Sequence, residues 1–144
     1  MTLTPNYDPN NVFAKIIRGE IPAVRLFEDD DVLAFMDAFP QTEGHCLVIP
    51  KRAEHATIFQ LDDGAFDALA RGVRRLARAV KEGLAPDGIR IAQFNGAAAG
   101  QTVFHVHFHV IPVYAGAGER PHASGGAADK AALEAAAARI RAVL

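Results

Sequence analysis

His105-Val106-His107-Phe108-His109 places half of the chain's six histidines within five positions. Imidazole titrates near neutrality, so it can ligate a metal, shuttle a proton or attack an electrophile with a free lone pair. Within Val103–Ile111, polar and apolar residues alternate without a break from Phe104 to Val110, and side chains on a strand point to opposite faces with a period of two. The pattern predicts a strand over Thr102–Val113. Val106, Phe108 and Val110 would face a core, and His105, His107 and His109 would line the other side. Three imidazoles in one row are a costly way to fill a merely structural surface.

Two chemistries compete for that row. One is metal binding. Alternate residues lie ~6.6 Å apart along a strand, so the outer two imidazoles would be ~13 Å apart, and zinc–nitrogen bonds of ~2.0–2.1 Å do not gather all three onto one ion. Two neighbours could chelate, with His45, His55, His122 or a carboxylate completing the set. The other is nucleophilic catalysis at phosphorus, with one histidine forming a covalent intermediate and its neighbours orienting it and protonating the leaving group. The loop Asn95-Gly96-Ala97-Ala98-Ala99-Gly100-Gln101 favours this second chemistry. Its glycines permit close backbone approach to a ligand, its amides can form a nest for an anion, and Gln101 and Thr102 add side-chain donors just before His105.

The elements that must carry this row are readable from periodicity. Val12–Arg18 reads as a short helix stopped by Gly19 and Pro22, and Val24–Phe27 and Val32–Met36 as a hairpin around an acidic turn. His45–Ile49 is a third strand. Phe66, Leu69, Val73, Leu76, Val80 and Leu84 follow the spacing of a long amphipathic helix, with Asp62 and Asp63 near its start. Ile89–Phe94 is a further strand, and Asp129–Leu144 a closing Ala-rich helix. Residues 1–10 are expected to be a flexible N-terminus, and residues 115–126 irregular. Five strands and three helices on short connections imply an α+β domain with an antiparallel sheet.

Composition narrows the function classes. Fifteen basic and seventeen acidic residues leave a net charge of −2, which lacks the basic excess of a nucleic-acid binder. No apolar run approaches the ~20 residues of a membrane span. A single cysteine, Cys46, cannot form an intramolecular disulfide, and with no signal peptide evident a cytoplasmic location is expected.

Gly100-Gln101-Thr102-Val103-Phe104-His105-Val106-His107-Phe108-His109-Val110-Ile111-Pro112 resembles the signature of the histidine triad (HIT) family. Upstream, Phe13–Ala23, Ala34-Phe35-Met36-Asp37 and Gly44–Lys51 are similar to the family in order and spacing. The resemblance implies a HIT-like fold with the domain over 11–114 and a C-terminal loop and helix over 115–144. It also implies roles. His107 would be the nucleophile that becomes nucleotidylated, supported by His105 and His45, with His109 near the phosphate and leaving group. Gln101 and Thr102 would donate to phosphate oxygens, with Asn95 nearby, and Asp37 would accept from the ribose hydroxyls. Phe13, Ile21, Phe35 and Ala38 would surround the base.

Departures from the family pattern carry expectations of their own. The positions of Asn11 and Ala14 hold Cys-x-x-Cys in some bacterial relatives, and Ala53 stands near where another zinc ligand often falls, so no structural zinc and no required cofactor are expected. Phe94 replaces the Asn or Gln that relatives often place near the substrate, and the chain has no tryptophan. The N-terminal half resembles the Hint branch, whose members hydrolyse nucleoside phosphoramidates; the expected substrate is a purine nucleotide, an AMP or GMP derivative. The alternatives are a Fhit-like dinucleoside polyphosphate hydrolase and a non-catalytic nucleotide-binding scaffold. The family also implies a homodimer, for which Leu69, Val73 and Leu76 are available unless they belong to the core. No nucleic-acid or membrane partner is expected.

Overall fold

The computed structural model describes residues 2–118 and 127–144. Helix α1 spans Val12–Ile17 and starts where Asn11 Oδ1 accepts the Ala14 N–H at 2.9 Å. Strands β1 (Arg25–Glu28) and β2 (Val32–Met36) form the expected hairpin. Its acidic turn is closed by Asp29, whose carboxylate accepts the Asp31 and Val32 N–H groups, each at 2.8 Å. Strand β3 is Cys46–Pro50, and helix α2 runs Asp63–Leu84 behind an Asp62 cap. Strands β4 (Gly88–Ala92) and β5 (Phe108–Val113) follow, and helix α3 (Lys130–Arg141) closes the chain. The sheet is antiparallel throughout, in the order β1-β2-β3-β5-β4. The α+β architecture expected from the sequence is present.

The two faces of the sheet have different partners. Val32, Ala34 and Met36 of β2, Val48 of β3 and Val110 of β5 pack with α2 and α3 in the main core. Leu33, Phe35, Leu47 and Ile49 form a smaller cluster on the opposite face with Phe13 and Ile16 of α1. Because β2 and β3 are buried on both sides, they read as near-continuous apolar runs rather than alternating ones. Leu69, Val73 and Leu76 lie in the main core at 0%, 6% and 0% exposure. They are therefore not a surface through which a second copy could dock.

Two sequence expectations change. Only Phe108–Val113 of the predicted Thr102–Val113 strand enters the ladder. Its partner β3 ends at Pro50, which has no N–H to offer, and Val106 instead donates to the His55 carbonyl at 2.9 Å. Residues before Tyr7 are also tied down rather than loose. Thr57 Oγ1 donates to the Leu3 carbonyl at 2.6 Å and Gln60 Nε2 to the Pro5 carbonyl at 3.0 Å. Residues 119–126 of the stretch expected to be irregular, including His122, lie outside the described residues.

Helices α2 and α3 meet at Gly83, where an added Cβ would come within 2.6 Å of the Arg139 carbonyl oxygen and 3.1 Å of Ile140 Cα. Neither backbone atom can swing aside. Gly83→Ala would gain about 1 kcal/mol of helix propensity if the helix were exposed. It is instead expected to destabilise the protein by ~1–3 kcal/mol through overpacking. Urea unfolding decides the sign, and a stabilised variant would show that the two helices do not cross this closely.

Candidate active site

The segment 102–107, released from the ladder, carries the first two histidines of the row, while β5 carries the third. His107 Nδ1 lies 2.6 Å from the His105 carbonyl oxygen. A carbonyl can only accept, so Nδ1 bears the proton and the neutral ring keeps its lone pair on Nε2. The ring is 4% exposed. Phe13 of α1 meets it edge to face at 4.9 Å between centroids and 89°, and Phe13 in turn meets Phe35 of β2 at 5.4 Å. The small apolar cluster thereby fixes the plane of the imidazole.

His109 sits inside the sheet, paired with Leu47 on β3 and Ala92 on β4. His45 immediately precedes β3, and its Nε2 lies 2.9 Å from His109 Nδ1. The Gln41 N–H donates to His45 Nδ1 at 3.0 Å. That bond settles the tautomers in sequence. His45 carries its proton on Nε2 and donates to His109, so neutral His109 carries its own proton on Nε2. Asp37 Oδ2 stands 3.4 Å from His45 Nε2, and Asp37 Oδ1 accepts the Phe39 N–H at 2.8 Å. The His107 and His109 rings are 5.0 Å apart. His45, expected beside His107, acts on His109 instead.

His105 is 1% exposed and bonded at both nitrogens. Its Nε2 is 2.9 Å from the Pro50 carbonyl and its Nδ1 2.6 Å from the Tyr7 hydroxyl. Burial lowers its pKa from 6.5 to about 4, although the Pro50 carbonyl acts in the opposite direction. It is thus a neutral ring at physiological pH.

Beside these rings is a pocket of about 640 Å³, within the range of small-molecule sites. Of the residues singled out in the sequence, Phe13, Ile21, Phe35, Ala38 and Asp37 line it together with Thr102, His107 and His109. Gln101 and Asn95 are not brought to it. Gln101 Oε1 accepts the Gly96 N–H at 2.8 Å, and its Nε2 donates to the Ala56 and Val103 carbonyls at 2.7 and 3.0 Å. Asn95 Oδ1 accepts the Ile58 N–H at 3.0 Å, and its Nδ2 donates to Gln93 at 2.7 Å. Both side chains shape the loop, which turns at Gly96 and Gly100 with φ of +95° and +105°. His55 contributes its carbonyl, as acceptor for Val106.

Three contributions to the site have no signal in the sequence. Tyr7 lies in a polar stretch without periodicity, and the Gln41 bond is made by backbone, which no residue type announces. Helix α3 brings Lys130, Leu133 and Glu134 to the pocket, and the Ala128 N–H anchors its approach on the Ala38 carbonyl at 2.9 Å.

Among the described residues, one side-chain group has metal-ligand spacing: ligand atoms of Asp37, His45 and His109 all lie within 4.8 Å of one another. The hydrogen bonds suit that group poorly to a cation. A metal on His45 Nε2 would have to displace its proton, and the Gln41 N–H blocks transfer of that proton to Nδ1.

A model of the HIT domain matches residues 18–116. The chain is similar to a Hit-like protein of Bartonella henselae described as involved in cell-cycle regulation. The two are 46% identical with a TM-score of 0.89, over 97% of this chain and 100% of that one. It also resembles a zinc-bound histidine triad family protein of Mycobacterium smegmatis, at 37% identity and a TM-score of 0.78, covering 93% of this chain and 92% of that one. Adenylylsulfatase HINT3 of Arabidopsis thaliana is 40% identical over 101 residues, which are 70% of this chain and 51% of that protein. With the imidazole row, the sheet order and the matched span in agreement, the chain belongs to the HIT family.

Proposed function

We propose that this nucleotide-binding protein hydrolyses a purine nucleoside 5′-phosphoramidate, or a related bond at the α-phosphorus, through a nucleotidyl group carried on His107. The observation that carries the reading is the His107 tautomer, in which Nδ1 is committed to the His105 carbonyl and the lone pair of the neutral ring therefore lies on Nε2. The pocket beside it supports a nucleotide, because its apolar wall suits a base and the Asp37 carboxylate suits the hydroxyls of a ribose. The base, of an AMP or GMP derivative, would lie against Phe13, Ile21, Phe35 and Ala38, the ribose on Asp37 and a phosphate oxygen on Thr102. The similarity to a plant protein named an adenylylsulfatase supports chemistry at a nucleotide phosphorus.

In this reading His107 Nε2 attacks phosphorus and the bond to the leaving amine breaks. The His109 Nε2–H, held in place by His45 at its Nδ1, donates a hydrogen bond to the departing nitrogen and keeps its proton. The nitrogen takes its proton from a water, whose hydroxide attacks the nucleotidyl-histidine, breaks the bond from phosphorus to His107 Nε2 and releases the nucleoside monophosphate with neutral His107. A dinucleoside polyphosphate would share the first displacement and differ only in its leaving group.

AMP release from adenosine 5′-phosphoramidate in the presence of a chelator tests this directly. Turnover should persist in chelator and fall by ~10³-fold or more in His107→Ala. Loss of activity on chelation, or retention in the variant, would remove the mechanism, and absence of turnover in the wild type would remove the substrate class.

The neutral state of His105 adds a stability prediction. Unfolded histidine titrates near 6.5, whereas His105 in the fold titrates at about 4. Between those values the unfolded chain holds a proton that the folded chain does not, so stability falls as pH drops from about 6.5 toward 4. This group alone should contribute on the order of 3 kcal/mol to that loss. Urea unfolding of the wild type and His105→Asn across this range should show a shallower slope in the variant, and equal slopes would contradict the assignment.

A further inference from the structure

Tyr7 stands outside the segments that resemble the family and outside the residues lining the pocket, yet it makes one of the shortest polar contacts near the site. Its hydroxyl lies 2.6 Å from His105 Nδ1 across a sequence separation of 98 residues. The strap that carries it is held at two points before Tyr7, with the Leu3 carbonyl accepting from Thr57 and the Pro5 carbonyl from Gln60. Its ring meets the His105 ring edge to face at 5.6 Å. Nothing about this placement is required by the sheet or by the main core.

The hydrogen-bond chain explains it. The Pro50 carbonyl, 2.9 Å from His105 Nε2, can only accept, so that nitrogen bears the proton. Nδ1 of the neutral ring is then a bare acceptor in a residue 1% exposed. The Tyr7 O–H is the donor that satisfies it. Burial also holds the Tyr7 hydroxyl above its ordinary pKa, so it remains a donor at neutral pH. With both ring nitrogens fixed, the His105 side chain pins its own peptide, and the carbonyl of that residue is the acceptor 2.6 Å from His107 Nδ1.

We propose that Tyr7 is a positioning residue: through the His105 ring it fixes the carbonyl that selects the reactive tautomer and orientation of His107. It touches neither the pocket nor the reacting atoms. Removing its hydroxyl leaves a buried acceptor without its donor, which favours rotation of the His105 ring or a shift of its peptide. A nucleophile misaligned by such a shift loses rate while its substrate pocket is unchanged.

The kinetic arm of this inference rests on His107 being the nucleophile; the structural arm does not. Tyr7→Phe keeps the aromatic contact and deletes only the hydroxyl. The expected result is a kcat lowered by ~10-fold with KM changed by less than about twofold, and a melting temperature lowered by only a few degrees, so that the variant is folded under assay conditions. A purely structural strap would leave kcat unchanged or alter KM and stability together, and either pattern would overturn the proposal.

Long-range proton–nitrogen NMR of the histidine rings, recorded without substrate, reads the structural arm. Wild-type His105 should be the Nε2–H tautomer with Nδ1 hydrogen-bonded, and Tyr7→Phe should shift Nδ1 and broaden the His107 Nδ1–H signal. Unchanged His105 and His107 signals in the variant would refute the relay even if no turnover substrate is found. If wild-type turnover is absent but these signals respond as expected, the substrate reading fails and the relay stands. Should the variant not fold, the wild-type spectrum decides, since a His105 ring protonated on Nδ1 would be incompatible with the relay.

Discussion

The bond from His107 Nδ1 to the carbonyl of His105 constrains much of the surrounding fold. An imidazole free to rotate presents either nitrogen, and one bonded at Nδ1 presents only Nε2. To supply that carbonyl, the backbone at residue 105 cannot be engaged in a regular ladder with β3. Termination of β3 at Pro50 meets this requirement, because a residue without an N–H leaves the facing segment unpaired on one side. The Pro50 carbonyl is then available to His105, and Val106 turns to His55. Loss of regular strand at 102–107 is thus part of the same arrangement that sets the tautomer.

The sheet divides its labour accordingly. Helices α2 and α3 cover one face with a large apolar core, which provides stability without reference to the site. The other face carries a small cluster around Phe13, Phe35 and Leu47, and this cluster does two things at once. It holds the His107 ring by edge-to-face contact, and it forms one wall of the pocket. The imidazoles are almost dry, so their hydrogen bonds act in a low-dielectric setting where each unmade bond is costly. That setting explains why so many partners are fixed groups, the Gln41 amide and the His105 and Pro50 carbonyls among them.

Much of this was legible in residue order. Helical spacing located α2 nearly to the residue, because it is a local pattern that packing reinforces, whereas period-two alternation located β5 but carried the strand too far, since of the three clustered histidines only His109 lies on it. Phe13, Phe35, Asp37 and Thr102, each singled out in the sequence, meet at one pocket with His107 and His109. Gln101 was misleading for a physical reason: an amide next to a glycine loop serves equally well to hold that loop, and here three backbone groups engage it. The partner of His45 was also beyond reach, since choosing between His107 and His109 depends on strand register. Tyr7 and the pocket-facing side of α3 arrive by tertiary docking, and no spacing in their own segments encodes a destination.

The measurement that bears most directly on this account is rapid-quench mass spectrometry during turnover of adenosine 5′-phosphoramidate, with peptide mapping of the trapped species. The account predicts an adenylyl group on His107, attached through Nε2. An adduct on His105 or His109, or turnover with no adduct on His107 at any quench time, would contradict it.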